Sequence, residues 1–275
     1  MSKYANHEEE PRVLRTISSF FTAMSQPPPL EDARTYVLES GFHFVSSSLH
    51  GNLHHALSEA INIAEGRKND GKEEPGESQL IIADPAPEVY IYDKIAAVWA
   101  ALQRVASDGR IRFRVYATFF LIKLDDNDWK ISGIAQSLPT TDAPLPPVGK
   151  GMTPEVERLM HFADEVFKTR KFDDLDDWAL PGARMVHNNV GATVEDFVRQ
   201  MVTWAANLPP DAQWREKFED VTVRTAGDQG FIWMRFATSL DGKPLSNGID
   251  VLALHRQNGR WIFSGTQTFS VPAEQ

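Results

Sequence analysis

The chain has 275 residues, close to twice the length of a typical domain of about 150 residues. With 28 basic and 38 acidic residues its net charge is −10, which leaves no basic footprint for nucleic acid. The lack of cysteine excludes disulfides, thiolate zinc sites and cysteine nucleophiles. The polar, acidic N-terminus does not look like a signal peptide, and no run of about 18 apolar residues predicts a membrane span. We therefore expect a cytoplasmic protein that does not insert into membranes.

Proline and glycine divide the chain in two. Residues 138–154 (LPTTDAPLPPVGKGMTP) hold too many of both to form the interior of an element. We predict a first domain over 1–138, a linker over 139–152 and a second domain over 153–275. A second polar stretch, Gly66–Gln79, predicts an exposed loop within the first domain.

The two halves repeat the same order of elements. Each opens with an amphipathic helix, whose apolar positions recur at helical spacing. These positions are Val13, Leu14, Ile17, Phe20, Phe21 and Met24 in the first half, and Val156, Leu159, Met160, Ala163, Val166 and Phe167 in the second. A short helix (30–38 and 172–180), a strand (41–47 and 182–189) and a further helix (53–64 and 193–206) follow. Thr193 is the predicted N-cap of the last of these helices.

Each half ends in strands joined by tight turns. Two-residue turn signals occur at Asp108-Gly109, Asp241-Gly242 and Asn258-Gly259, with Asp126-Asn127 at the corresponding place in the first half. The last strands share a Trp-x-Ile/Phe-Ser-Gly pattern, WKISG from Trp129 and WIFSG from Trp261. The chain is therefore an internal repeat of roughly 130–140 residues, which is a duplicated domain rather than a solenoid.

This pattern resembles the nuclear-transport-factor-2-like superfamily, which includes SnoaL-like polyketide cyclases, scytalone dehydratase and ketosteroid isomerase. The closest text is GIDVLALHRQNGRWIFSGTQTF in the second half and YATFFLIKLDDNDWKISGIAQS in the first. The resemblance implies an α+β fold of two tandem cone-shaped domains, each with a curved, mostly antiparallel sheet wrapped around helices. Because the convex face of this fold commonly forms dimers, it also implies an internal pseudo-dimer, and it leaves further homodimerisation open.

Two-residue turns at the predicted tips fix which strand residues share a face. In the second half, counting residue pairs outward from the two turns places Trp233, Asp250 and Gln267 side by side. Phe231, Leu252 and Phe263 share their predicted face. In the first half the same arithmetic aligns Trp99, Thr118 and Ala135, and Tyr116 shares that face. A single bulge in either hairpin would shift the register by one residue and exchange the two faces.

The resemblance to ketosteroid isomerase implies a chemical role for two residues, Asp250 and His187. Asp250 maps to the late-strand carboxyl group that donates a hydrogen bond to a developing oxyanion. His187 falls near the position of the first-strand base, and a neutral imidazole is a competent base near pH 7. We predict Asp250 and His187 as catalytic residues. We predict substrate contacts by Trp233, Gln267, Phe231, Leu252, Phe263, Asn188, Trp99 and Tyr116.

The predicted function is a cofactor-free isomerase or cyclase acting on a hydrophobic small molecule of secondary metabolism. A dehydratase, or a cyclase for a pericyclic step such as a Diels–Alder reaction, falls within the same prediction. The alternative is a ligand-binding or scaffold protein that uses the same cavity without catalysis. No glycine-rich phosphate loop, nucleotide fingerprint or His-Glu-x-x-His pattern occurs, so we predict neither a metal nor a cofactor.

Overall fold

The computed structural model describes residues 8–47, 51–71, 78–139 and 143–273. The chain divides into two compact units, Met1–Pro147 (unit 1) and Val148–Gln275 (unit 2). The division falls inside the stretch 139–152 that the sequence predicts as a linker. The packing of the units as a pseudo-dimer stays a prediction.

Within its described residues, unit 1 combines three helices with a six-stranded sheet of order β2-β1-β6-β5-β4-β3, in which β1 and β6 are the one parallel pair. Its elements are α1 (Glu10–Met24), α2 (Glu31–Arg34), β1 (Val37–Ser47), β2 (Gly51–Ala56), α3 (Leu57–Asn69), β3 (Ser78–Tyr92), β4 (Ile95–Ala106), β5 (Ile111–Lys123) and β6 (Trp129–Leu138).

Unit 2 repeats this arrangement in a seven-stranded sheet of order β7-β10-β11-β12-β13-β8-β9, with β8 and β13 parallel. Its elements are β7 (Gly149–Lys150), α4 (Pro154–Thr169), a 3-10 helix (Phe172–Trp178), β8 (Ala179–His187), β9 (Val190–Thr193), α5 (Val194–Ala206), β10 (Trp214–Ala226), β11 (Gln229–Leu240), β12 (Lys243–Gln257) and β13 (Arg260–Pro272). The α+β fold class predicted from the sequence is confirmed in both units.

One face of each sheet, called here the inner face, packs on the helices. In unit 1 the buried stripe of α1, including Val13 and Ile17, joins one cluster with Val98 and Phe119 of the sheet. In unit 2, Val156 and Leu159 of α4 belong to a cluster with strand residues of β10 to β13. This is the packing that the helical spacing of apolar residues predicts. Of the helices in the described ranges, none has the length and apolar content needed to cross a membrane.

Several predicted boundaries move in the structure. The α3 helix starts only at Leu57, because 53–56 belong to β2, and it continues to Asn69 into the predicted loop. The Lys68 ammonium donates to the carbonyls of Met24 and Gln26 at the end of α1, which ties this last turn to the core. Residues 72–77 of the predicted loop and 140–142 of the predicted linker lie outside the described residues. Gly149 and Lys150, also predicted as linker, pair with β10 as β7.

The N-cap predicted for α5 is confirmed. The Thr193 hydroxyl oxygen accepts a hydrogen bond from the Asp196 amide at 3.0 Å, and the hydroxyl donates to the Asp196 carboxylate at 2.8 Å. A capped first turn fixes where the helix begins, directly after the short hairpin of β8 and β9.

The hairpins of unit 2 carry the predicted two-residue turns, but each also contains a bulge. Between β11 and β12 the extra residue is Leu245, and between β12 and β13 it is Ser264. Asp250 therefore lies opposite Met234 and Thr268 rather than opposite Trp233 and Gln267. The register predicted for unit 2 is wrong by one residue because each bulge inserts one residue between the turn and the site.

The hairpins of unit 1 contain the same bulges but longer turns. Hydrogen bonds between Ala106 and Arg110 and between Leu124 and Asp128 enclose three residues in each turn. The extra turn residue compensates for the bulge, so Thr118 does lie opposite Trp99 and Ala135 as predicted.

Candidate functional site

Unit 2 contains a cavity of about 110 Å³ between its inner face and its helices. The lining is almost entirely apolar. It includes Met160, Ala163 and Phe167 of α4, Met185 of β8, Phe197 of α5, and Phe218, Met234, Leu252 and Phe263 of the sheet. Of the predicted substrate contacts, Leu252 and Phe263 line this cavity. Among the described lining residues Asp250 is the one ionisable side chain, and Thr266 and Thr268 contribute hydroxyl groups.

Asp250 combines burial with one hydrogen bond. The Thr268 hydroxyl donates to Asp250 Oδ1 at 2.7 Å, which favours the ionised form. Burial favours the neutral form and dominates, so the pKa of Asp250 rises from 3.8 to about 6. A carboxyl group with a pKa near neutrality can both take up and release a proton in a catalytic cycle.

A second carboxyl group near Asp250 was not predicted from the sequence. Glu216 of β10 shares the inner face with Phe218, which lines the cavity. Its Oε2 atom is buried and has no hydrogen-bond partner among the described residues. Burial raises the pKa of Glu216 well above its usual value, and the charges of Asp250 and Asp164 raise it further.

Glu216 could not be singled out from the sequence because the charged segment WREKFED is typical of a solvent-exposed strand. The one available signal was the alternation of Trp214, Glu216 and Phe218, which places the glutamate between two aromatic side chains on one face.

His187 lies on the same face as Asp250, two strands away. It pairs with Thr268 across β8 and β13, and Thr268 pairs with Asp250 across β13 and β12. At about 4.8 Å per interstrand spacing, the two Cα atoms are roughly 10 Å apart. The His187 ring is partly exposed and its Nε2 lies 2.9 Å from the Ser270 hydroxyl. Partial burial lowers the pKa of His187, which keeps the imidazole neutral near pH 7.

Asn188 directly follows His187 at the end of β8. Its backbone amide donates to the Thr268 carbonyl at 2.7 Å, and its side-chain oxygen accepts from the Ser270 amide at 3.0 Å. Asn188 therefore holds the strand end around His187, and its side-chain oxygen is engaged with backbone.

The remaining predicted contacts lie on the other face of the sheets, called here the outer face. Trp233, Gln267 and Phe231 are fully buried there in unit 2 and do not line the cavity. In unit 1, Trp99 and Tyr116 stack on the outer face with ring centroids 5.2 Å apart. The bulges described above separate Asp250 from Trp233 and Gln267, which the predicted register had placed together.

Unit 1 has its own cavity, of about 290 Å³, with different polar groups. Phe20, Phe21, Leu57, Ile61, Phe113 and Phe119 supply much of its apolar lining. The polar lining includes His43, Lys68, Arg104 and Gln136. The structure pairs Val45 with Gln136 as it pairs His187 with Thr268, so Val45 corresponds to His187. Ala117, not Thr118, corresponds to Asp250.

Within the described ranges no group of three or more histidine or acidic side chains is arranged to hold a metal ion. The described lining residues of the two cavities do not include the set of carboxylates and imidazoles that binds a catalytic metal.

No family model matches the chain, and no curated protein matches it in sequence. Among solved structures, Aln2 from a Streptomyces species is 16% identical, with 42% of this chain and 91% of that chain covered and a TM-score of 0.37. An NTF2-like protein of unknown function from Shewanella baltica is 13% identical, with 50% and 98% covered and a TM-score of 0.38. A protein of unknown function with a cystatin-like fold from Nostoc punctiforme is 10% identical, with 43% and 90% covered and a TM-score of 0.38.

The order of elements predicted from the repeat is present in both halves: a long helix, a short helix, a strand, a further helix and then long bulged hairpins. By this order, and by the helices on the inner face of a mixed sheet, each unit has the nuclear-transport-factor-2-like fold that the sequence resembles.

Proposed function

We propose that unit 2 is a cofactor-free isomerase or cyclase that acts on a small hydrophobic molecule, with Asp250 as the group that moves the proton. The observation that carries the proposal is a carboxyl group with a pKa of about 6 at the wall of an apolar cavity, held by the Thr268 hydroxyl. The apolar lining favours a hydrophobic substrate and strengthens electrostatic interactions with the reacting atoms.

The two buried carboxyl groups have different tasks in this proposal. Asp250 lines the cavity and ionises near neutral pH, so it removes a proton from carbon. Burial and the charge of Asp250 both raise the pKa of Glu216 well above its usual value, so we assign it the role of the proton donor. Two titratable groups whose environments separate their pKa values are a common basis for acid–base catalysis.

His187 is proposed as a second proton-transfer group at the end of the cavity. It shares the inner face with Asp250 and is partly exposed, so it can exchange protons with water. The geometry favours Asp250 over His187 as the base that touches the substrate, because Asp250 lines the cavity and His187 does not.

A small β,γ-unsaturated ketone tests this function. In cyclohex-3-en-1-one, Asp250 would take a proton from C2 to give the dienolate, and return of a proton to C4 gives cyclohex-2-en-1-one. The conjugated product is followed by its ultraviolet absorbance. We expect Asp250→Asn to lower kcat/KM by about 100-fold or more, which is the usual contribution of a general base. The wild-type rate should increase with pH and level off above about pH 6.

Asp177→Asn is the matched control, because Asp177 is exposed on the 3-10 helix and its substitution removes the same charge elsewhere in unit 2. It should leave the rate unchanged, while His187→Ala should lower the rate and leave the pH midpoint near 6. Equal rates for wild type and Asp250→Asn would overturn the proposal and favour the non-catalytic ligand-binding alternative.

A further inference from the structure

The cavity of unit 2 holds a carboxyl group without a positive charge to balance it. Asp250 lies deep in the unit yet keeps some accessible surface, because it faces the cavity. None of the described lining residues is basic, and no cation of the described part of the chain acts on the pKa of Asp250. A buried carboxylate without a counter-cation costs free energy, so a ligand that brings a positive charge is favoured there.

One oxygen of this carboxyl group has room for a hydrogen bond from a ligand. The Thr268 hydroxyl bonds Oδ1 of Asp250, and it is the one donor to the carboxyl group among the described residues. Oδ2 can therefore accept a hydrogen bond from a molecule in the cavity. An ammonium group is the donor that suits it best, because a hydrogen bond between two charged groups is shorter and stronger than a neutral one.

Two further carboxyl groups make the surroundings of the cavity negative. Glu216 of β10 lies close enough to Asp250 and to Asp164 of α4 for both of their charges to raise its pKa. Lys168, one turn after Asp164 on α4, is exposed and donates to Glu165 at 2.8 Å. A cavity surrounded by charges of one sign attracts a ligand of the opposite sign, in this case a cation.

Phenylalanine rings form much of the remaining wall. Phe167 of α4, Phe197 of α5, Phe218 of β10 and Phe263 of β13 all line the cavity. The face of an aromatic ring attracts a cation, and the same rings bury a hydrocarbon body. The cavity volume of about 110 Å³ is close to that of apolar cavities of about 150 Å³ that hold benzene, so a ligand with a single ring is the expected size.

We propose that the cavity of unit 2 binds a small hydrophobic amine in its protonated form, with the ammonium group at Asp250 Oδ2 and the hydrocarbon body among the phenylalanine rings. The inference rests on the site of the proposed function but not on catalysis there, because charge pairing requires only a carboxylate that faces the cavity. An amine bound in this way occupies the proposed base and blocks its access to another substrate.

Cyclohexylamine and cyclohexanol are the probes, because they share a six-membered ring and differ in charge at pH 8. Isothermal titration calorimetry should show the amine binding about tenfold more tightly or more, the usual gain from a hydrogen bond between charged groups. Asp250→Asn should weaken the amine by about the same factor and change cyclohexanol less than about twofold. Asp177→Asn is again the control, since Asp177 is exposed, and it should leave both affinities unchanged.

The dependence on pH separates charge pairing from shape. The pKa of Asp250 is about 6, so the affinity for the amine should fall about tenfold between pH 8 and pH 5 while that for cyclohexanol stays constant. Two other titratable groups share the inner face with Asp250, His187 from β8 and Glu216 from β10. The lining residues of α5 and the 3-10 helix are apolar. The same fall in His187→Ala and in Glu216→Gln assigns the dependence to Asp250.

Ala163→Leu tests the cavity without changing a charge. Ala163 lines the cavity from α4, so the larger side chain should abolish binding of both probes. Equal affinity for the two probes, no binding of the amine, or amine binding that survives Asp250→Asn or Ala163→Leu would overturn the proposal.

Binding and isomerisation are measured on the same variants, which separates this inference from the proposed function. Amine binding that depends on Asp250, in a protein that does not isomerise cyclohexenone, supports the amine site and overturns the proposed function. Isomerisation that depends on Asp250, in a protein that does not bind the amine, does the reverse.

Discussion

The proton affinity of Asp250 results from two opposing local effects. Burial against the apolar lining raises its pKa, and the hydrogen bond from Thr268 lowers it. Because a hydroxyl that donates to a carboxylate stabilises the charged form, Thr268 sets how far the pKa rises. Thr268, which lowers the pKa of Asp250, thus lies opposite it on the neighbouring strand, and it does so only because of the bulge.

Thr268→Val should raise the pH midpoint of cyclohexenone isomerisation, because the ionised carboxylate loses a donor. We expect a shift of about one pH unit, the size expected when a hydrogen bond to a charged group is lost. The pH–rate profile of kcat/KM measures this shift. Thr266→Val is the control, because Thr266 lines the same cavity and no hydrogen bond joins it to Asp250. A midpoint that stays at the wild-type value would contradict the assignment.

At the scale of elements, the Ser-Gly pair recurs in the last strand of each unit. It explains both why the two halves look alike in sequence and why the register predicted for unit 2 is wrong. Ser132 and Ser264 are the extra residues of equivalent bulges in β6 and β13, and both are fully buried. The glycine that follows in unit 1, Gly133, lies between the pairing partners Phe42 and Phe120, whose rings meet with centroids 4.9 Å apart. The motif that identified the repeat is therefore also the motif that bends the strand.

Gly133→Ala should destabilise unit 1 by roughly 1–3 kcal/mol, because its Cβ would lie 2.4 Å from the Phe42 ring in a closely packed core. Gly66→Ala is the matched control in the same unit, since a Cβ at this exposed helix position meets no atom within 4 Å. It should be neutral or stabilise by up to about 1 kcal/mol. Urea unfolding of the two variants measures the difference, and equal stabilities would contradict the proposed role of the motif.

The helices could be predicted because their apolar stripes are long and regular, as in α1 and α4. The strand pairings could be predicted only as far as the length of each turn fixes which residues lie opposite one another. The bulge at Leu245 has no distinct residue signature, because Leu245 is an ordinary exposed side chain. Asp250 was therefore predicted as a site residue, but its neighbour Thr268 was not identified, and Glu216 was missed because its segment is highly charged.

At the scale of the whole molecule, the buried carboxyl groups make stability depend on pH. The pKa of Asp250 rises from 3.8 to about 6 on folding, so the folded chain binds this proton more tightly than the unfolded chain. The free energy of unfolding should therefore fall as the pH increases from about 4 to about 6. Glu216 contributes with the same sign, because its pKa is also raised.

Asp250→Asn should remove the contribution of Asp250 to this dependence. Above pH 6 the variant should be more stable than the wild type, by up to about 3 kcal/mol at 1.36 kcal/mol per pKa unit. Below pH 4 the difference should disappear, because the wild-type carboxyl group is then protonated in both states. Thermal unfolding at pH 4 and pH 8 measures both limits. A variant that is less stable than the wild type at pH 8 would contradict the buried, proton-binding environment of Asp250.

The three-residue turns of unit 1 and the two-residue turns of unit 2 differ in length without altering the interior. Both units keep the bulges, and Ala117 and Asp250, each the eighth residue after its turn, both lie on the inner face. The additional turn residue is therefore accommodated at the hairpin tip, outside the paired strands. The two copies thus differ in the chemistry of their cavities through substitutions along equivalent strands, while the hairpin tips can vary in length.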